Sequence, residues 1–460
     1  MTVLKSVILT VGIGAAALAA FICFTKEQNL TVSVSALSNQ IRGQTSARAF
    51  AEFEANHSGG ESRPASVVTT RLKTKFSLLG DNPRTISEIV DEGREGLALL
   101  DYIDPARLSS CDRILYYKYR AFTERQLAIF ESMDTDQNAA SIYAQNLGNM
   151  EAVASIYRGQ TIDYEGLEQF ALDELNRIDE AYAELRKQTG IADLDDLAQN
   201  PKFFTADKEQ ARTSFDKAFD RAQQSASSYF YTYEVDRIGP IVDERCHRFK
   251  AAASYGLEHV RLYMCGEKYN MKRNLFLAAH EYYPGHHLQY SQLGKFEFCP
   301  GRHQTSMSYS EGWASYAEYL LADKFSQDPD QRLGWLDYRR VRALRILIDT
   351  PLKRDDADKD QLREIWRAHM PVRLYGAFEN EYFRITNSRN FQHLRYLMGA
   401  HAIMDVKNRL EREMGEKFDE KHFHHIMLNG PIRINPYLYE QLVAALEVEA
   451  PELQALRSAN

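Results

Sequence analysis

A proline and a glycine interrupt the one stretch where histidines crowd together, and this break constrains the fold more than any other feature. Arg273 to Tyr290 carries a helical pattern, yet Pro284-Gly285 sits inside it. Pro284 has no N–H to bond the carbonyl of His280, and its ring disrupts the turn. Gly285 can adopt backbone conformations closed to other residues. Around the break stand His280-Glu281-Tyr282-Tyr283 and His286-His287. Counting His303, four of the 13 histidines fall between positions 280 and 303.

A helical His-Glu-x-x-His puts two imidazoles on one face with a glutamate beside them, the arrangement of many zinc hydrolases. Here the fourth residue after His280 is Pro284, so the simple spacing fails. On a straight helix, position i+6 points about 240° away from His280, and i+7 lies about 10.5 Å along the axis. Zinc–nitrogen bonds of about 2.0–2.1 Å span neither gap. If Pro-Gly is extruded as a bulge, His286 takes the place of i+4 and His287 points elsewhere. The spacing therefore favours His286 over His287 as second ligand, with Glu281 as general base.

A third protein ligand leaves one position open for water. Glu311 opens Glu311-Gly312-Trp313-Ala314-Ser315-Tyr316-Ala317-Glu318, a helical stretch placed to pack across the first. Glu311 is the expected ligand. Glu318, two turns on, is too far to reach the same ion and is expected to orient a ligand or face substrate. Each piece alone is commonplace: a histidine pair can fill a core, and a glutamate favours a helix start. Together they point to a metal.

His-Glu-x-x-Pro-Gly-His-His-x-Gln followed by Glu-Gly-Trp-Ala-x-Tyr-x-Glu closely resembles the bacterial family catalogued as domain of unknown function 885. That family is grouped with the zincin-like metallopeptidases of the gluzincin type, and many members are exported. Gly415 to Asp419 and Phe423 to Gly430 resemble its later motifs. The resemblance runs from about Tyr229 to Tyr439, and more loosely through the helices before. It implies zinc on His280, His286 and Glu311, with Glu281 as catalytic base. One block departs from the family. Met398-Gly399-Ala400-His401-Ala402-Ile403-Met404 stands where the family has Pro-Gly-Gln-Ala-Leu-x-Tyr, so the Gln and Tyr are absent. His401 and Tyr375 are the candidates to stabilise an oxyanion in their place.

The rest of the chain frames this segment. Lys5 precedes an uncharged run from Ser6 to Phe24, near the lower limit for spanning a bilayer. Residues 1–25 read as a signal peptide, with Ala17-Leu18-Ala19 as cleavage site, or as a membrane anchor. Ile22 before Cys23 argues against a lipid-attachment cysteine. Residues 26–70 read as a flexible tether with one short helix from Ser46 to Asn56. Residues 71–460 form a large, mainly α, zincin-like catalytic domain. Helices are expected over Asp81–Leu100, Cys111–Glu131, Asp136–Arg158, Tyr164–Lys187, Arg273–Tyr290, Glu311–Gln327, Leu333–Ile348 and Gln392–Gly415. Arg248–Tyr255 and His259–Gly266 read as short strands joined by Gly256-Leu257-Glu258, a small sheet beside the metal-binding helix. Outside the cytoplasm, Cys111, Cys246, Cys265 and Cys299 either pair or stay as free thiols.

The expected function is an exported, periplasmic or otherwise extracytoplasmic zinc metallopeptidase. Alternatives are a zinc amidase acting on a non-peptide amide, and a non-catalytic binding protein that keeps the fold. The expected partner is a peptide or small amide. The 64 acidic residues outnumber the 56 basic ones, a net charge of −8 that argues against nucleic acid. The strand from His259 to Cys265 is expected at the cleft edge, ready to pair with an extended peptide. Of Tyr282 and Tyr283, at least one is expected in the core and one is free to face substrate. Oligomeric state is not legible.

Overall fold

Leu167, Ala171, Leu175, Ile178, Tyr182 and Leu185 recur at helical spacing and are all buried along one face of α3 (Tyr164–Thr189). Asp163 caps the start of this helix through the Gly166 N–H, and Gly190, at φ 69°, ends it in the left-handed region. The structure, a computed structural model, describes residues 86–448 apart from 102–103, 132–156, 159–160, 246, 248–250, 265–267, 294, 297–298, 300–306, 326 and 388–392. The expected leader, the tether, the Ser46–Asn56 helix, His303, Cys246 and Cys265 lie outside the described residues. So does nearly all of the helix expected over 136–158. Its last two residues, Tyr157–Arg158, instead pair as an antiparallel strand with Thr161–Ile162. Gly159 is a poor helix former, and β-branched Thr161 and Ile162 favour extended chain.

The fold is mainly helical. In chain order, α1 (Ile86–Asp101) and α2 (Ser110–Glu131) precede α3. Then come α4 (Lys208–Ala226), β1 (Gly239–Asp243), β2 (Ala253–Gly256), β3 (His259–Tyr263), α5 (Asn274–Glu281), α6 (His286–Gln292) and α7 (Met307–Leu320). The chain closes with α8 (Pro329–Arg354), α9 (Lys359–His369), α10 (Phe378–Asn387), α11 (Leu394–Met414), α12 (Glu420–Asn429) and α13 (Leu438–Leu446). The small sheet is mixed, in the order β1-β3-β2. β3 pairs parallel with β1 and antiparallel with β2 across the Leu257-Glu258 turn. Central β3 therefore has no edge to offer a peptide; the outer strands are β1 and β2.

Two helices expected as single runs are divided. Arg273–Tyr290 becomes α5 and α6 with a four-residue break at Tyr282–Gly285, wider than an extruded Pro-Gly bulge. Glu311–Gln327 becomes α7 and a short turn at Ala322–Phe325, and α7 starts before Glu311. Every residue of α5 is buried. It passes through the main core between α4, α7 and the sheet. Helix α7 packs most extensively on α11, at a crossing made by two glycines. A Cβ on Gly312 would lie 2.9 Å from the Gly399 Cα, and one on Gly399 would lie 2.7 Å from the Gly312 Cα. Both thus let the backbones approach where any larger residue would force them apart.

Cys111 and Cys299 form a disulfide across 188 residues. It ties the start of α2 to the segment between α6 and α7, and such bonds belong to an oxidising compartment. No helix among the described residues is long and apolar enough to cross a membrane.

Candidate metal centre

The break after α5 aims the histidines. Tyr282 and Tyr283 both donate their N–H to the Ala278 carbonyl, at 3.0 and 3.2 Å, closing the helix. The Tyr283–Pro284 peptide is cis. A Cβ on Gly285 would sit 1.9 Å from the His280 carbonyl oxygen and 2.4 Å from that of Ala279, so only glycine fits against the helix end. Trp313 of α7 donates its indole N–H to the Pro284 carbonyl at 2.9 Å. The two motifs thus hold each other: tryptophan of the second fastens proline of the first. Beyond the break α6 begins at His286, whose ring stands 4.8 Å from that of His280 at an interplanar angle of 82°.

His280, Glu281 and His286 are buried, and a ligand atom from each lies within 4.8 Å of the others, a group that could hold a metal ion. Glu311, in the second turn of α7, brings Oε2 to 3.4 Å from His280 Nε2 and 3.6 Å from His286 Nε2. The outward nitrogens are engaged. His280 Nδ1 lies 2.7 Å from Glu318 Oε1, and His286 Nδ1 lies 3.1 Å from Ser310 Oγ, which in turn contacts the Tyr290 hydroxyl at 3.1 Å. Both Nε2 atoms are left facing Glu311.

Glu318 is fully buried and receives Arg342 of α8 through both oxygens, at 2.9 Å each. It orients a histidine rather than facing a cleft. His287 is turned away. Its Nε2 meets the Asp236 carbonyl at 2.7 Å and its Nδ1 the Tyr255 hydroxyl at 3.3 Å. Its ring stacks on Tyr282 at 5.2 Å.

Charge follows this geometry. Burial would lower the His280 pKa, but hydrogen bonds with Glu311 and Glu318, with Glu281 nearby, push it up to about 10. Glu311 is held well below the usual carboxylate range, against burial, by hydrogen bonds from His280 and His286. Burial raises Glu281, with His280 and His286 opposing, and the Tyr255 backbone donates to its carboxylate. In the metal-free protein a proton on His280 therefore supplies the positive charge that three carboxylates surround.

Other expected residues lie elsewhere. Tyr282 stacks on Phe219 at 4.2 Å, and both Tyr282 and Tyr283 are buried in the main core, so neither faces a cleft. His401 packs on Phe170 and Tyr319, with Nε2 3.4 Å from buried Glu174. Tyr375 donates its hydroxyl to the Arg367 carbonyl at 3.2 Å. Both are thus engaged away from His280, His286 and Glu311, and the tyrosine expected to be missing is present: Gln392, Leu394 and Tyr396 match the Gln, Leu and Tyr of the motif at a different register. Sequence reasoning missed Arg342, Ser310, Tyr255 and Tyr396, whose ring lies over His280 at 6.2 Å and 17°. Arg342 had a signal: Arg339, Arg340, Arg342 and Arg345 crowd a helix with an apolar stripe, so some must be buried and paired.

Comparison with known proteins adds fold and family. No curated protein matches the chain. A protein described as a "putative lipoprotein" from Colwellia psychrerythraea shares the fold at a TM-score of 0.53 and 16% identity, over 78% of this chain and 73% of that one. A protein of the same description, "of unknown function", from Shewanella oneidensis aligns over 84% of this chain and 73% of its own at 15% identity. Its TM-score of 0.44 is too low to bear on the fold. The family described as bacterial protein of unknown function (DUF885) matches residues 115–432, a span that takes in every residue of the centre, and the chain belongs to that family.

Proposed function

We propose that this protein is an exported zinc-dependent hydrolase whose substrates are peptides. The observation that carries the reading is the spacing of His280 Nε2, His286 Nε2 and Glu311 Oε2. Ligands about 2.0–2.1 Å from a tetrahedral zinc stand about 3.3–3.4 Å apart. The 3.4 and 3.6 Å separations from Glu311 Oε2 to the two nitrogens come close to that edge. Two imidazoles and one carboxylate, with a fourth position open, suit catalytic zinc. Engaged Nδ1 atoms fix both rings with Nε2 toward the ion.

Zinc, when bound, supplies the charge that acidifies an attacking water and polarises the substrate carbonyl. His280, His286 and Glu311 would hold it. Glu281 takes a proton from the water and returns it to the leaving nitrogen. Its burial strengthens its hold on that proton, and the Tyr255 N–H keeps the carboxylate in place. Strand β2 offers a peptide its outer edge. The Tyr263 N–H bonds the Ala252 carbonyl, so by antiparallel alternation the backbone groups of Ala253 and Tyr255 face away from β3, leaving the Ala253 N–H and carbonyl and the Tyr255 carbonyl for a peptide while the Tyr255 N–H serves Glu281. No other strand among the described residues pairs with that edge. A peptide lying there would run beside α5.

The Cys111–Cys299 disulfide and the uncharged run at residues 6–24 support export to the periplasm, with that run as cleaved signal or inner-membrane anchor.

The test uses zinc-loaded protein, peptide mixtures and non-peptide amides, read by mass spectrometry. Peptide cleavage by wild type, lost in Glu281→Gln while zinc content stays at one equivalent, is the expected result. Cleavage of the amides alone would assign an amidase. Full zinc with no cleavage of either class would leave a binding protein.

A further inference from the structure

Which peptides such a centre takes depends on the charge beside it. Arg342 of α8 lies between two phenols, 4.5 Å from the ring centroid of Tyr338 and 5.2 Å from that of Tyr396. Arg345, one turn on from Arg342, stands 5.8 Å from the Tyr338 centroid. Tyr338 also stacks on Phe276 of α5 at 5.2 Å and 27°. Phe276 is one turn before His280, about 6 Å along the helix axis. Tyr338 is therefore within reach of a peptide held at the centre, about three extended residues away at about 3.3 Å each.

The cations here are of two kinds. Arg342 and Arg345 are buried and locked, the first by both oxygens of Glu318 and the second by both oxygens of Glu381. They act through charge alone. Arg384 of α10 is placed differently. Its Nε stands 3.4 Å from Glu381 Oε2, the oxygen that Arg345 Nε already takes, and its side chain is 17% exposed. Tyr338 is likewise only partly buried, and among the described residues its hydroxyl makes no hydrogen bond. Charge at the two phenols is balanced differently. At Tyr396, burial and Glu311 raise the pKa, with Arg395 and Arg384 opposing. At Tyr338 burial again works to raise it, yet Arg345, Arg342 and Arg384 outweigh both burial and Glu381 and hold it below the ordinary tyrosine value. The Tyr338 end therefore favours negative charge.

We propose that Tyr338 and Arg384 form a subsite for a substrate carboxylate, the phenol O–H and the guanidinium N–H groups donating to its oxygens. This rests on the hydrolase reading. A carboxylate is the anion a peptide offers such donors, at its C-terminal end or on an acidic side chain. Arg342 and Arg345 deepen the positive field without touching it. Substrates that carry this charge a few residues from the scissile bond are taken in preference to neutral ones.

The test compares matched peptides on zinc-loaded protein, cleaved at the same bond. One pair differs by a free against an amidated C-terminus. The other differs by glutamate against glutamine within about three residues of the cleaved bond. Both members of a pair meet the same enzyme, so their ratio of kcat/KM does not depend on how much of it is folded and loaded. Wild type is expected to favour the charged member of one pair about 10–100-fold, chiefly through KM. The favoured pair says whether the carboxylate is a chain end or a side chain. Tyr338→Phe keeps the ring and its stacking, and is expected to cut that ratio about threefold or more; Arg384→Gln is expected to cut it about tenfold or more. Should Arg384→Gln fail to fold beside Glu381, Tyr338→Phe decides. A wild type that cleaves both members of each pair equally would overturn the subsite and leave the hydrolase reading standing. A preference untouched by the substitutions would place the carboxylate elsewhere and overturn the subsite too. A zinc-loaded wild type that cleaves nothing would overturn the hydrolase reading and the subsite with it.

Discussion

Glu318→Gln separates a carboxylate that tunes the metal from one that merely fills the core. Glu318 Oε1 lies 2.7 Å from His280 Nδ1 and 2.9 Å from an Arg342 nitrogen, and Oε2 takes the second Arg342 nitrogen at 2.9 Å. Burial works against its charge, but Arg342 and His280 hold it below the usual carboxylate range. Glutamine is nearly the same shape. If its oxygen faces His280, its NH2 meets the Arg342 N–H groups, donor against donor. If it turns, His280 Nδ1 loses its acceptor. Partners of this kind change metal affinity about 10–100-fold, or about 1.4–2.7 kcal/mol. Arg342 would also stay buried with its charge unmatched, and breaking one partner of a buried pair costs about 3–5 kcal/mol. Zinc affinity by chelator competition and melting with and without zinc give both numbers. The expected variant binds zinc 10–100-fold more weakly and melts earlier even without metal. A folded Glu318→Gln that binds zinc within about twofold of wild type would refute the orienting role.

Other perturbations test neighbouring links. His286→Ala is expected to lose zinc and His287→Ala to keep it, by metal analysis of protein purified without added zinc; the reverse result would move the second ligand to His287. Gly312→Ala would drive a Cβ to 2.9 Å from the Gly399 Cα, so about 1–3 kcal/mol of stability should go, read as a lower melting temperature. Because the pKa of His280 is raised to about 10, its contribution to the metal-free fold is complete below about pH 6.5 and is lost as pH rises through about 10. Zinc must displace that proton, so affinity should climb up to about tenfold per pH unit across that window, and calorimetry in different buffers should detect about one proton released. Removing the Cys111–Cys299 bond, which spans 188 residues, should cost about 2–5 kcal/mol in denaturant unfolding of Cys299→Ser.

The helices were legible wherever one stripe met one core. The helix expected over Tyr164–Lys187, with Leu167, Ala171, Leu175 and Ile178 on its apolar stripe, is α3 within two residues of its observed ends. Boundaries failed where packing overrode pattern. Glu311 sits in the second turn of α7 because Ser308 and Ser310 are buried in the same helix, which polar side chains do not announce. Arg248–Tyr255 was expected as one strand; residues 248–250 lie outside the described ones, and the described strand runs from Ala253 to Gly256. Strand β1 joins through a parallel partner, a non-local pairing without a local signal.

What the sequence determined by itself was chemistry and spacing. It supplied a histidine-glutamate pair, a proline that must end the helix, a glycine to follow it, and a distant glutamate on another helix. These depend on covalent facts: a missing N–H, a missing Cβ, and ligand atoms on short side chains. The tertiary structure decided what no local pattern contains. It chose which nitrogen of each histidine turns inward, because Glu318 and Ser310 approach from α7. It set Trp313 on the Pro284 carbonyl and Arg342 behind Glu318, partners 29 and 24 residues apart. It brought Tyr396 over His280 through two glycines 87 positions apart in sequence (399 − 312). Each is a contact between elements, and its energy exists only when helices pack.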